Sequence, residues 1–202
     1  MNGGHAMYEL FEPAIPDIAN LLTESDFCGS YRDWERWRRP LAGFIEWGES
    51  VLDVGCANGF LLACLMAWHC RGFVPHGFDL NPARIKTARA LLIDFAQNFQ
   101  VRNLWDPIWP GPRVDVIIAP WIEHGPFIMN CRRYSRTRVL FTAYDDQIAR
   151  GIDVFEGCER NDLTVVEKYV FGAALQIAAV EGMDSNSARG SNSGVPQEPF
   201  LR

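Results

Sequence analysis

Ser50-Val-Leu-Asp-Val-Gly-Cys-Ala-Asn-Gly59 is the stretch that decides the fold. A short aliphatic run (Val51, Leu52, Val54) stops at a glycine-containing turn and passes into an apolar helical stretch. Gly55 and Gly59 bracket the turn, and because glycine accepts positive φ, bare backbone can come close to a ligand there. The helix that follows points its unpaired N–H groups at the same spot. A nucleotide-type site at the carboxyl edge of a parallel sheet is built this way. Ala57 stands where the dinucleotide fingerprint has its middle glycine, so the spelling is not that fingerprint.

A second stretch fixes the meaning of the first. Twenty residues after Gly59 comes Asp79, in His76-Gly-Phe-Asp-Leu-Asn-Pro82. A short strand ends in an acid and a helix begins at once, with Asn81 suited to the N-cap and Pro82 to the first helical position. An acid at the tip of the second strand, this far beyond the glycines, is placed to accept hydrogen bonds from the two hydroxyls of a ribose. Each motif predicts the position of the other.

These two motifs, Asp53-Val-Gly-Cys-Ala-Asn-Gly59 and Phe78-Asp-Leu-Asn-Pro82 with Ile85 and Ala88 behind it, resemble the class I S-adenosylmethionine-dependent methyltransferases. Trp34-Glu-Arg-Trp-Arg-Arg-Pro-Leu41 is similar to a bacterial subgroup of methyltransferase-domain proteins. The resemblance spans roughly residues 30–181. It implies an α/β, Rossmann-like, doubly wound sheet of seven strands in a three-layer sandwich, order 3-2-1-4-5-7-6, with strand seven antiparallel. It also implies S-adenosyl-L-methionine as donor and S-adenosyl-L-homocysteine as product. The expected donor contacts are Asp53, Gly55, Cys56, Ala57, Asn58 and Gly59 in the turn, and Asp79, Leu80 and Asn81 at the second strand tip. Asn103 falls where the resembled family has an Asp or Asn on the adenine amino group. Leu104 lies against the adenine face in that scheme, and Asp106 is a second polar candidate.

Composition agrees. The chain of 202 residues is 48% apolar and 22% charged, ordinary for one soluble domain with a sizeable core. No apolar run reaches the roughly 20 residues of a membrane span, and the N-terminus lacks the basic region of a signal peptide. The cysteines (Cys28, Cys56, Cys64, Cys70, Cys131, Cys158) form no Cys-x-x-Cys pair and read as reduced residues of a cytoplasmic protein. Cys64, His69, Cys70 and His76 fit no zinc spacing, so no metal is expected. A net charge of −6 argues against nucleic acid as partner.

The alternation of elements divides the chain into an N-terminal helical segment (1–48), a donor-binding domain (49–182) and a disordered tail (183–202) rich in Ser, Asn, Gly and Pro. Strands are expected near 50–54, 74–79, 99–103, 114–119, 138–144, 164–172 and 175–181. Helices are expected near 31–46, 59–69, 82–98, 126–135 and 145–157. The loop Ala119-Pro-Trp-Ile-Glu-His124 leaves the fourth strand at the edge where a reactive methyl must lie. Ala119 and Pro120 are expected donor contacts, Trp121 a wall beside the sulfonium, and Glu123 and His124 bases for an acceptor that must lose a proton. In-line methyl transfer depends mainly on alignment. Ala-Pro-Trp-Ile departs from the Asn-Pro-Pro-Tyr type of loop, so a small-molecule acceptor methylated at oxygen or nitrogen is expected. The pre-sheet aromatic and cationic residues Tyr31, Trp34 and Arg38 or Arg39 are expected to close over the donor, an arginine meeting its carboxylate. A donor-binding but non-catalytic subunit and an NAD-binding oxidoreductase are the rival readings; oligomeric state stays open.

Overall fold

The computed structural model describes residues 17–68, 72–106, 109, 111–172 and 175–183. The tail beyond Met183 and the calls on His69 and Cys70 lie outside the described residues. Seven strands form one sheet in the order β3-β2-β1-β4-β5-β7-β6. They are β1 (Ser50–Val54), β2 (Val74–Asp79), β3 (Phe99–Val101), β4 (Val114–Pro120), β5 (Ser135–Tyr144), β6 (Val165–Phe171) and β7 (Leu175–Glu181). β1 through β5 pair in parallel, and β7 runs antiparallel to both of its neighbours. The expected sheet is the observed one.

Both faces are covered, as the continuous apolar strands require. On one face Val51, Val116, Leu140 and Ile177 meet Leu62 and Leu65 of α3 (Phe60–Trp68) and Ile85 and Ala88 of α4 (Pro82–Leu91). On the other, Val54, Ile117, Phe141 and Val180 meet Phe127 and Cys131 of α5 (Gly125–Tyr134) and Val154 and Cys158 of α7 (Val154–Arg160). Between β3 and β4 no helix forms among the described residues; Trp109 packs on Phe78 at 5.1 Å instead. Among the described residues no helix is long and apolar enough to cross a membrane.

Three expected helices are shorter than the pattern suggested. The helix from Pro82 ends at Leu91, because Leu92 takes φ −115°, ψ 58°, and a 3-10 turn completes the run to Asn98. The stretch 31–46 splits into α2 (Tyr31–Arg38) and a 3-10 turn (Arg39–Phe44), since Pro40 supplies no N–H to continue the ladder. The stretch 145–157 divides at Gly151, φ 85°, into α6 (Asp145–Ala149) and α7. β5 starts three residues earlier than expected, at Ser135.

The N-terminal segment is fastened to the domain by packing. Leu21 and Leu22 of α1 (Ile18–Glu24) and Trp34 of α2 share a buried cluster with Phe60 and Cys64 of α3. The Trp34 ring lies 4.6 Å from Phe60 and 5.9 Å from Trp68, and the residue is 2% exposed. That burial corrects the expectation of Trp34 as a closing lid residue: its ring is spent on α3. Trp34→Ala is therefore expected to cost about 3–5 kcal/mol of stability through cavity formation. Trp47→Ala, at a 76% exposed ring, should change it by about 0.5 kcal/mol or less. Urea denaturation of the two variants tests the contrast.

Candidate functional site

The carboxyl ends of β1, β2, β4 and β5 converge on the turn at Gly55. Gly55 has φ +76°, and a Cβ built there meets nothing within 4 Å, so the backbone faces open space. Gly59, φ +74°, has a different function. A Cβ there would lie 3.0 Å from that of Ala88, so this glycine lets α3 and α4 pack closely. Ala57 also carries positive φ, 47°, an uncommon conformation for a residue with a side chain. It is held by Asp79, whose Oδ2 accepts the Ala57 N–H at 3.1 Å. Asp79 Oδ1 accepts the Asn81 N–H at 2.8 Å. One carboxylate thus ties the tips of β1 and β2 together while each oxygen keeps further acceptor capacity toward the edge.

Several residues of the turn point elsewhere. Cys56 is buried against Gly77, where a Cβ would come 2.7 Å from its sulfur. Burial, with Asp53 and Asp79 nearby, pushes its thiol well above the usual range. Asn58 is wholly buried. Its amide nitrogen donates to Leu21 O at 2.8 Å, and its Oδ1 accepts from Phe60 N at 3.2 Å and Ser25 Oγ at 2.8 Å. Asn81 spends its side-chain oxygen on Ala83 N, 2.9 Å, capping α4. The side chains of Cys56 and Asn58 are therefore structural, while Asn81, exposed, commits only its oxygen to the cap. Leu80 stands 68% exposed beside them.

The loop after β3 folds back toward β4. Asn103 Oδ1 accepts the Trp105 N–H at 3.1 Å, closing a local turn, and Leu104 O accepts from Trp109 Nε1 at 3.4 Å. Asp106 O accepts from Asn130 Nδ2 of α5 at 3.1 Å. Trp105, half exposed, meets His124 edge-on with ring centroids 5.0 Å apart.

The side chains of the loop after β4 have local partners. Glu123 is fully engaged by Arg160, Nε to Oε1 at 2.9 Å and Nη2 to Oε2 at 3.1 Å. That pairing holds its carboxyl below the usual range. His124 caps α5, its Nδ1 accepting the Phe127 N–H at 3.3 Å. Trp121 is buried against Phe141 and fills the hollow at Gly157, where any Cβ would strike its indole. Glu123 and His124 are thus engaged in local hydrogen bonds, and Trp121 in packing. Ala119 is buried; Pro120, half-buried, ends the strand at the open edge.

Asp53 and Arg38, both expected at the site, come together with Tyr144, which the sequence reading missed. Asp53, buried at the end of β1, is pushed up to about 7, first by burial and then by the charge of Asp79, with Arg38 pulling the other way. Arg38 closes α2 with its guanidinium 4.4 Å from the centroid of Tyr144, the last residue of β5. Burial raises the Tyr144 phenol. Arg39, the arginine expected at the carboxylate, pairs instead with Glu35 at 2.8 Å. Tyr31 packs on Phe60 at 6.2 Å, and burial raises its phenol also. Among the described residues no group of three or more His, Cys, Asp or Glu could hold a metal ion. Chemically, the arrangement offers bare backbone at Gly55, a diol acceptor in Asp79 and a cation with unused donors in Arg38.

The sheet order and this turn give the chain the fold of the class I methyltransferases. No family model matches the sequence, and neither does any curated protein. Solved structures do. An S-adenosylmethionine-dependent methyltransferase from Aquifex aeolicus is similar at 17% identity and TM-score 0.56, over 71% of this chain and 87% of that one. Magnesium protoporphyrin IX methyltransferase from Synechocystis PCC 6803, with bound S-adenosylmethionine, gives 12% identity and TM-score 0.58, over 90% and 100%. An O-methyltransferase of neocarzinostatin biosynthesis, in complex with S-adenosylmethionine and 2-hydroxy-5-methyl naphthoic acid, gives 17% and 0.54, over 74% and 54%. At these identities the likeness establishes the fold.

Asp53 makes stability depend on pH. Its folded-state pKa lies above the unfolded value, so the folded state is favoured at low pH. That contribution is lost as pH rises from about 4 toward 7. Asp53→Asn removes the dependence. Its stability relative to the parent should therefore be greater at pH 8 than at pH 5, read from melting temperatures; parallel curves would refute the assignment.

Proposed function

We propose that this chain binds S-adenosyl-L-methionine and transfers its methyl group to a small-molecule acceptor at oxygen or nitrogen, releasing S-adenosyl-L-homocysteine. The observation that carries the reading is the open backbone at Gly55, flanked by the Asp79 carboxylate and the Arg38 guanidinium. The donor's ribose falls to Asp79, its amino-acid end to Asp53 and Arg38, and its adenine to Leu80, Leu104 and the Asp106 carboxylate. Asp106 is preferred over Asn103 because the Asn103 oxygen already closes its own turn. The sulfonium lies toward Ala119 and Pro120. Tyr31 and Arg39 support the segment that carries Arg38 and are second-rank contacts. The fold neighbours with bound donor favour this cofactor over NAD. Free, mostly buried cysteines fit a cytoplasmic enzyme.

A base is not required where the acceptor is already nucleophilic, because in-line transfer is served by alignment. With Glu123 in an ion pair and His124 capping a helix, such an acceptor fits this site. The same two observations favour, as the second reading, a donor-binding subunit without turnover.

Calorimetric titration with S-adenosylmethionine, S-adenosylhomocysteine and NAD separates these readings: binding of NAD alone would overturn the proposal. Asp79→Ala should weaken S-adenosylhomocysteine binding by about 2–3 kcal/mol through loss of charge-assisted hydrogen bonds. Gly55→Val should abolish it, since φ +76° strains any side chain and the added methyls occupy the open floor. Circular dichroism separates loss of binding from loss of fold.

A further inference from the structure

Arg38 is held in an unusual way for an arginine beside an open edge. Its guanidinium carbon lies 4.4 Å from the ring centroid of Tyr144, 5.0 Å from Trp34 and 5.4 Å from Phe27. The rings come from three separate places: the tip of β5, the middle of α2, and the loop between α1 and α2. Neighbouring arginines are fixed differently. Arg39 pairs with Glu35, and Arg36 lies over Phe171 at 4.8 Å. Arg38 Nη1 is buried and has no hydrogen-bond partner among the described residues.

Leaving such a nitrogen unpaired is costly, because a buried donor loses its water without replacement. A ring attracts a cation through its face and uses none of the N–H groups, which radiate from the guanidinium edge. A box of rings therefore immobilises the cation while leaving its Nη1 N–H groups unpaired among the described residues. A carboxylate is the group that matches a guanidinium fork. Trp34 is already committed to the core against Phe60, so it forms the fixed back of the box. Phe27 packs on Trp37 at 5.7 Å, and Tyr144 is anchored by its N–H to Gln147 Oε1 at 3.2 Å. The ring closest to the guanidinium is that of Tyr144.

We propose that Tyr144 is a positioning residue whose ring, with that of Phe27, aims Arg38 Nη1 at the carboxylate of the donor's amino-acid end. The chain thereby selects adenosyl thioethers that carry this carboxylate. The proposal rests on the donor-site reading given above and adds to it the device that sets its ligand preference. It assigns the ring face, not the hydroxyl, as the working part of Tyr144. Arg38 makes the contact, and Tyr144 acts through it.

The test compares two probes that differ in one group, S-adenosylhomocysteine and its decarboxylated analogue, by calorimetric titration of the full chain. The parent should prefer the carboxylate-bearing probe by about tenfold or more, the scale of one charge-assisted hydrogen bond. Arg38→Met should abolish the preference. Tyr144→Phe, which keeps the ring, should retain it. Tyr144→Leu should weaken S-adenosylhomocysteine several-fold while leaving the decarboxylated probe unchanged, the scale of one cation–π contact. Phe27→Leu repeats the measurement from the loop side where Tyr144→Leu fails to fold. A Tyr144→Leu or Phe27→Leu variant that keeps the parental preference, or loses affinity for both probes alike, overturns the proposal. Failure of the parent to bind either probe overturns the donor-site reading itself. Binding of both with equal affinity overturns only the carboxylate selection.

Discussion

The carboxylate of Asp79 is the interaction on which the functional edge depends. By accepting the N–H groups of Ala57 and Asn81 it joins the loops leaving two adjacent strands. Ala57 is held at positive φ by that bond, and the turn keeps its shape without the middle glycine of the dinucleotide fingerprint. The same group adds negative charge beside Asp53, a second acid at the end of β1 whose carboxyl is raised chiefly by its own burial and further by that charge. An opposing cation is needed nearby, and α2 brings it in as Arg38.

How α2 reaches that place follows from side chains that look unrelated to any site. Asn58 joins the start of α3 to Leu21 and Ser25, which fixes α1 over the turn. Trp34 then sets α2 down on Phe60 and Trp68, and Arg36 reaches Phe171 at the tip of β6. Asp26 adds an ion pair to Arg84 of α4 at 2.6 Å. The segment before the sheet is consequently part of the wall of the edge.

Most strands and the two motif turns were legible because each rests on local patterning: aliphatic runs, glycine at a bend, asparagine and proline at a helix start; the sheet order came only with the resemblance those motifs carry. What escaped the sequence is which side chain a given neighbour claims. Asn58 and Asn81 read as ligand contacts, yet the N–H groups at the starts of α3 and α4 take their side-chain oxygens. Glu123 and His124 read as bases, but Arg160 and the start of α5 lie within hydrogen-bond reach only after folding. Arg38 and Arg39 were adjacent alternatives; the helical rotation between them points one at Tyr144 and the other at Glu35. Tyr144 itself carried no motif. An aromatic residue at the end of a strand has significance only once its neighbours across the edge are known.

The unhelical connection between β3 and β4 has a consequence for how the molecule breathes. β3 is three residues long, lies at the border of the sheet and is contacted by α4 and the 3-10 turn that follows it. β4 and β5, by contrast, are long, central and sandwiched between both layers. Local opening is favoured where buried contacts are fewest. Amide exchange is therefore expected to be faster at β3 than in β4 and β5, so the sheet is stiffest along its middle and most compliant at that border.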